Sequence, residues 1–271
     1  MTPLFSIIIP VQTNTEVEMA QRCLESILRS HYKIGINIEL ILVNYGKMDL
    51  ISTIEEKIIF NNKVLLRLNG GNIVQAFNKG IKKSTGYVVY LMENDVYFTQ
   101  PSLLILLDVM KQSGLDIASP SVLYPNHVFE RAGVIYYKPV ATEPGWMTPR
   151  LRLYPYPIFG EILFTGTIVA EKCVAISRNA ISRVGLLDEH LNLLYSGSDY
   201  CLRARQIGFK HGVVGYTSII YDPGSTEDET YEYDPDFIDD QEATEEKYRL
   251  AFYRRWHGVP IGLDSGDKLI I

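Results

Sequence analysis

The chain has 271 residues, of which 46% are hydrophobic and 21% charged, an ordinary balance for a globular protein long enough to bury a sizeable core. Its formal net charge of -6 offers no overall attraction to nucleic acid or to an anionic cofactor, so a phosphate ligand would need a local metal. No stretch approaches the roughly 18 consecutive apolar residues that a membrane span requires.

The apolar start, Met1 to Val11, has no basic leader and reads as a strand rather than a signal peptide. Phe5 to Val11 is expected to be a buried strand, followed by a polar loop through Gln12, Thr13 and Asn14. Ala20, Cys23, Leu24, Ile27 and Leu28 recur at helical spacing, which predicts an amphipathic helix from about 16 to 30. A second buried strand is expected over Ile38 to Val43, ending at Asn44, then a helix over 50–60 and a strand at Val64 to Leu66. Alternating strands and helices imply parallel pairing with right-handed crossovers. The turn Leu68-Asn69-Gly70-Gly71-Asn72 then opens a helix, and glycines before a helix N-terminus let backbone approach an anion.

Tyr87 to Met92 is a near-continuous apolar run that stops at Glu93-Asn94-Asp95. Such a run suits a buried parallel strand, and ligands of open α/β sheets sit just past the carboxyl ends of these strands. Carboxylates there suit a divalent cation that holds a diphosphate, although Asn-Asp is also good chemistry for a plain turn.

A leucine-rich helix from Pro101 to about Gln112 and a short strand around Ile117 follow. From Ser121 to Phe159 the periodicity is poor, which predicts loops and short antiparallel strands near Gly133 to Tyr136. Further expectations are a strand over Ile162 to Val169, a helix over Arg178 to Val184 closed by Gly185, a helix over Asp199 to Ile207 capped by Ser198 or Asp199, and a short strand over His211 to Val214. The acidic run 225–246 reads as a solvated loop or a lid, and Tyr248, Phe252 and Trp256 share one face of a closing helix that packs on the domain. Cys23, Cys173 and Cys201 are odd in number and far apart, so buried free thiols in a reducing compartment are expected.

Several stretches together resemble the family-2 glycosyltransferases of the GT-A fold, especially the rhamnosyltransferase-like members. They are Ser6 to Val11 with Arg22 to Ile27, Asn69 to Asn72, Ala76 to Gly80, Gly86 to Val88, Glu93-Asn94-Asp95-Val96, Arg131 to Gly133, Thr165-Gly166, Val184 to Glu189 and Asp199 to Phe209, in the family's order. The similarity covers about residues 4–225. It implies an α/β GT-A fold with a mainly parallel central sheet flanked by helices over 1–225; the residues after it, 226–271, are read from their own pattern as an acidic loop and a helix packed on the same domain.

The resemblance implies transfer of a sugar from a nucleotide-diphosphate donor, linked to UDP, GDP or dTDP, to a glycan or lipid-linked acceptor hydroxyl, usually with inversion. Asp95 would be the principal ligand of Mn2+ or Mg2+, with Glu93 as helper. Pro10, Val11 and Asn44 would lie under the nucleoside, and Gly71, Asn72 and Asn94 near the phosphates. Where the family has an aspartate at the end of the second strand, this chain has Asn44. Its catalytic-base motif, Glu-Asp-x-Asp, becomes Ser196-Gly197-Ser198-Asp199; Gly197 cannot take a proton, and Asp199 would be the substitute base. Asp222 falls near the place of a family histidine that can bind the metal, and it would give an oxygen ligand instead. A rival reading keeps the fold as a non-catalytic nucleotide, glycan or protein binding module. A nucleotidyltransferase is disfavoured because no glycine-rich, lysine-bearing loop follows the first strand. The expected location is the cytosol, beside a membrane if the acceptor is lipid-linked.

Overall fold

The computed structural model describes residues 3–31, 37–58, 60–127, 129–131, 134–137, 150–153, 159–164, 172–222, 247–248, 250–252 and 254–256. Apolar runs alternate with amphipathic helices through its first half. These are β1 (Phe5–Val11), α1 (Asn14–His31), β2 (Ile38–Asn44), α2 (Ile51–Lys57), β3 (Lys63–Arg67), α3 (Ile73–Lys83) and β4 (Val88–Met92). Every residue of β1, β2 and β4 is buried, as continuous apolar strands covered on both faces must be. The second half supplies β5 (Val96–Tyr97), α4 (Ser102–Ser113), β6 (Ile117–Leu123), β7 (Phe129–Arg131), β8 (Val134–Tyr137), β9 (Arg150–Leu153), β10 (Ile162–Phe164), β11 (Cys173–Ser177), α5 (Arg178–Val184), α6 (Leu193–Gln206) and β12 (His211–Tyr221).

One sheet runs in the order β10-β12-β6-β11-β4-β1-β2-β3, with β5 beside β12 and β7 beside β6, while β8 and β9 form a separate pair. The strands β3, β2, β1 and β4 pair in parallel, as do β6 and β12. Between these groups β11 runs antiparallel to both β4 and β6. Apolar residues of α1, α2 and α4 cover one face of the sheet. Those of α3, α5 and α6 cover the other, joined by Phe252 and Trp256.

The expected strands and helices of the first half are present, with α2 ending earlier, at Lys57. Gly185 closes α5, and residues 247–256 are helical where described, with Phe252 and Trp256 buried as their spacing predicts. All three cysteines are buried and outside disulfides. The start of α6 differs from the expectation. Asn192 caps it by accepting a hydrogen bond from the Tyr195 N–H, so Ser198 and Asp199 lie inside the helix rather than at its end. The strand β12 is far longer than expected, and β11 was not foreseen. The expected strand beyond Phe164 and the acidic run 225–246 lie outside the described residues. Among the described residues, no helix is long and apolar enough to cross a membrane.

Gly86 seats β4 against β1. Its N–H donates to Ser6 Oγ at 2.8 Å, and a Cβ there would stand 2.5 Å from the Ser6 nitrogen and 2.6 Å from the Phe5 carbonyl carbon. Backbone cannot step aside as a flexible side chain can. Gly86→Ala is therefore expected to cost roughly 1–3 kcal/mol, read as a lower midpoint in urea denaturation. An unchanged midpoint would show that the two strands can separate without loss.

Candidate functional site

Two antiparallel pairings meet at the carboxyl end of β4. Cys173 of β11 faces Met92, and one residue further the Glu93 N–H donates to the Lys172 carbonyl at 3.1 Å. Nearby, Val96 of β5 faces Tyr221 of β12, and the Asp222 N–H donates to the Asp95 carbonyl at 2.9 Å. Glu93, Asp95, Lys172, Tyr221 and Asp222 are thereby gathered at the sheet edge where α/β folds bind ligands.

The Lys172 ammonium lies 2.7 Å from Glu93 Oε2 and 2.9 Å from Asp95 Oδ2, and 4.0 Å from the centre of the Tyr221 ring. Burial would pull its proton off, but Glu93 and Asp95 outweigh that and hold it firmly charged. Burial pushes the Asp95 carboxyl up to about 6, Glu93 adds to the rise, and Lys172 opposes it. The other oxygen, Asp95 Oδ1, is buried without a hydrogen-bond partner. Glu16, in the first turn of α1, is also raised, chiefly by burial and further by Asp95 and Glu93. Arg22 stands 3.9 Å from Asp222. Four carboxylates thus face two cationic side chains, so the edge keeps an excess of negative charge. A cleft of about 380 Å³ opens beside Asp95, lined also by Arg22, Asn94, Tyr97 and Asp222.

These residues fit a divalent cation. Asp95 Oδ1 is an anionic oxygen with no other use, and the local charge is negative. Among the described residues no group of three or more histidine, cysteine or acidic side chains is arranged to hold a metal. A magnesium-like ion does not require one, since it is commonly held by one or two carboxylates, substrate phosphates and water.

Of the residues expected around the nucleotide, Pro10 and Val11 are buried at the end of β1, and the Pro10 carbonyl accepts from Asn94 Nδ2 at 3.1 Å. Asn44 is wholly buried, and its amide donates to the Met48 carbonyl at 2.8 Å and accepts from the Gly46 N–H at 3.1 Å. Its hydrogen bonds therefore shape the loop after β2. Gly71 has φ 141°, and Asn72 caps α3 by accepting from the Gln75 N–H at 2.9 Å. Both precede α3 at the β3 end of the sheet, strands away from Asp95.

Asp199 is not part of this edge. It is fully buried among the residues of α6 and the C-terminal helix, where Oδ2 accepts from Arg203 Nε at 2.7 Å. Its Oδ1 accepts from an Arg255 Nη at 2.8 Å and from Trp256 Nε1 at 3.1 Å. Both oxygens are occupied and no face meets solvent, so the residue expected as the catalytic base is held in this structure as an anchor between helices. Gly197 lines a small apolar cavity of about 30 Å³ with Phe77, Leu91 and Tyr200. Asp188 accepts from the His190 N–H and pairs with Arg255, and Glu189 accepts from Asn78, so both hold loops.

The sequence reading missed Lys172 and Glu16. The run Cys173 to Ser177 carries enough apolar residues to suggest a strand, but only its pairing with β4 reveals what precedes it.

The family model described as Glycosyl transferase family 2 matches residues 6–185. Among solved structures, the mannosyltransferase PcManGT from Pyrobaculum calidifontis, in complex with GDP-Man and Mn2+, aligns over 94% of this chain and 65% of its own, with TM-score 0.62 and 12% identity. GalNAc-T7 with UDP, GalNAc and Mn2+ aligns over 96% of this chain and 53% of its own, with TM-score 0.60 and 15% identity. TarS 1-349 of S. aureus aligns over 96% and 75%, with TM-score 0.56 and 13% identity. At such identities the likeness is one of fold, the mixed α/β GT-A arrangement, and the chain spans less than two thirds of the first two. No curated protein matches the chain.

Two outcomes follow from the charges. Because its carboxyl is raised to about 6, Asp95 holds a proton below that value, and the proton competes with a cation. Mn2+ affinity should fall by about tenfold per pH unit below it and level off above, as followed by electron paramagnetic resonance. Asp199→Ala strands two arginines and should cost about 3 kcal/mol of stability in urea denaturation. A base that did not anchor the fold would instead leave stability unchanged.

Proposed function

The chain belongs to glycosyl transferase family 2, and on that premise we propose that it moves a sugar from a UDP-, GDP- or dTDP-linked donor to a hydroxyl of a glycan or lipid-linked acceptor. The observation that carries this reading is the buried, unpartnered Asp95 Oδ1 beside Glu93 at the carboxyl end of β4. Asp95 and Glu93 would hold Mn2+ or Mg2+, with Asp222 in reach of the same cleft. When bound, the cation supplies Lewis-acid stabilisation to the departing diphosphate. Two neighbours of the same fold were solved with Mn2+ and a nucleotide or nucleotide sugar, which supports the donor class.

The remaining roles belong to the chain's own groups. Asn94 ties the carboxylate turn to Pro10, so the turn and the end of β1 move as one. Gly71 and Asn72, expected near the phosphates, lie at the N-terminus of α3, where the Asn72 N–H already donates to Gln75 Oε1 at 3.1 Å. Pro10, Val11 and Asn44 would form the floor under the nucleoside. Inversion needs a carboxylate that takes the acceptor proton; Gly197 has none, and Asp199, the carboxylate left in that motif, is held by Arg203 and Arg255. We read residues 1–225 as the transferase domain and 226–271 as an acidic stretch and helix belonging to it, a reading supported by the buried Phe252 and Trp256.

The lost base position favours one second reading, a binding module that keeps the donor site without transfer. Titration calorimetry with UDP, GDP and dTDP, with and without Mn2+, tests the donor site. One nucleotide should bind in a Mn2+-dependent way, and Asp95→Ala should weaken it by roughly 100-fold or more. Incorporation of labelled sugar into an acceptor then separates transferase from module. Absence of binding by all three nucleotides at millimolar concentration would overturn the donor site itself.

A further inference from the structure

We propose that Lys172 is a resident counter-ion of the cation site, an ammonium that holds Glu93 and Asp95 together in the free protein and must leave them for a divalent cation to enter. The inference rests on the donor-site reading above and adds a residue to which the family likeness assigned no role. Lys172 is 9% exposed, a costly place for an ammonium unless its partners repay the lost hydration. They do so at 2.7 and 2.9 Å, using one oxygen from each carboxylate. The fold does not need this side chain to seat β11, because the Glu93 N–H and the Lys172 carbonyl already continue the ladder through backbone. What the side chain does is neutralise two neighbouring carboxylates that would otherwise repel each other.

The arrangement leaves Asp95 Oδ1, a buried atom, as the one oxygen of that carboxylate without a hydrogen-bond partner. Full ligation by both carboxylates then requires the tethered ammonium to give up Glu93 Oε2 and Asp95 Oδ2. Entry of a cation alone is opposed by the charge already present. A diphosphate changes this balance, because it offers the displaced ammonium new anionic acceptors while Tyr221 still covers its other side. Cation and donor are therefore coupled, each binding better in the presence of the other. Lys172 acts as a positioning residue in this scheme.

The test uses the full chain and Mn2+ alone at about pH 8, where carboxylates are ionised. Free Mn2+ is counted by electron paramagnetic resonance. Lys172→Met removes the charge but keeps an unbranched side chain, and it should bind Mn2+ at least roughly tenfold more tightly than the unaltered protein. Lys172→Arg keeps the charge and should stay near the unaltered affinity, whereas Asp95→Asn added to Lys172→Met should abolish the gain. If Lys172→Met does not fold by circular dichroism, Lys172→Gln is read in its place with the same expected direction. Equal, weaker or undetectable Mn2+ binding in the folded neutral variant overturns the proposal. Since no nucleotide enters the measurement, failure of the donor site to bind UDP, GDP or dTDP is a separate result.

Discussion

The strand β4 is gripped from two directions, in parallel by β1 and antiparallel by β11, and the functional edge depends on that grip. Parallel neighbours place the ends of β1, β2 and β4 on the same side of the sheet, while the antiparallel neighbour delivers the start of a strand to that side. Lys172 precedes β11 and Glu93 follows β4, so the reversal of direction alone puts opposite charges face to face. A parallel strand in the same position would have presented its far end instead. The short β5 repeats the device with β12, bringing Asp222 to Asp95.

Most of the fold was legible in the sequence, because unbroken apolar runs and helical spacing report burial directly. The runs through Ile7, Leu40 and Val89 needed no knowledge of partners to be read as central strands. The Asp95 turn was legible for the same reason, as the point where an apolar run gives way to carboxylates. Lys172 was not, since its meaning comes from a partner far away in the chain. Asp199 illustrates how a misplaced helix start changes a residue's surroundings. Its motif position suggested chemistry, but the cap that starts α6 lies at Asn192, and the earlier start carries Asp199 into the interior. Sequence can indicate that a helix is present more readily than which of two polar residues begins it.

The Asp199 cluster has its own logic. Arg203 reaches from the next turn of α6 to the carbonyls of Val184 and Leu186, tying the end of α5 to α6 through one guanidinium. Arg255 and Trp256 approach from the C-terminal helix and complete the carboxylate's hydrogen bonds. A motif residue that elsewhere could serve chemistry is here committed to holding three helices together. The apolar cavity beside Gly197 fits this picture, since a carboxylate at that position would have faced hydrocarbon.

The acidic edge is drawn from nearly the whole length of the chain, with Glu16 near its start, Glu93 and Asp95 in its middle, and Lys172 and Asp222 much later. During synthesis the first strands and helices can collapse while β4 still lacks its second neighbour. Until β11 has emerged from the ribosome, one flank of β4 is an open edge carrying apolar side chains and two carboxylates without Lys172. Folding of this molecule is thus dominated by contacts distant in sequence, which are slow to form and leave the nascent chain prone to misassociation. A ribosome that pauses before Lys172 would hold the four parallel strands without the partner that completes their site.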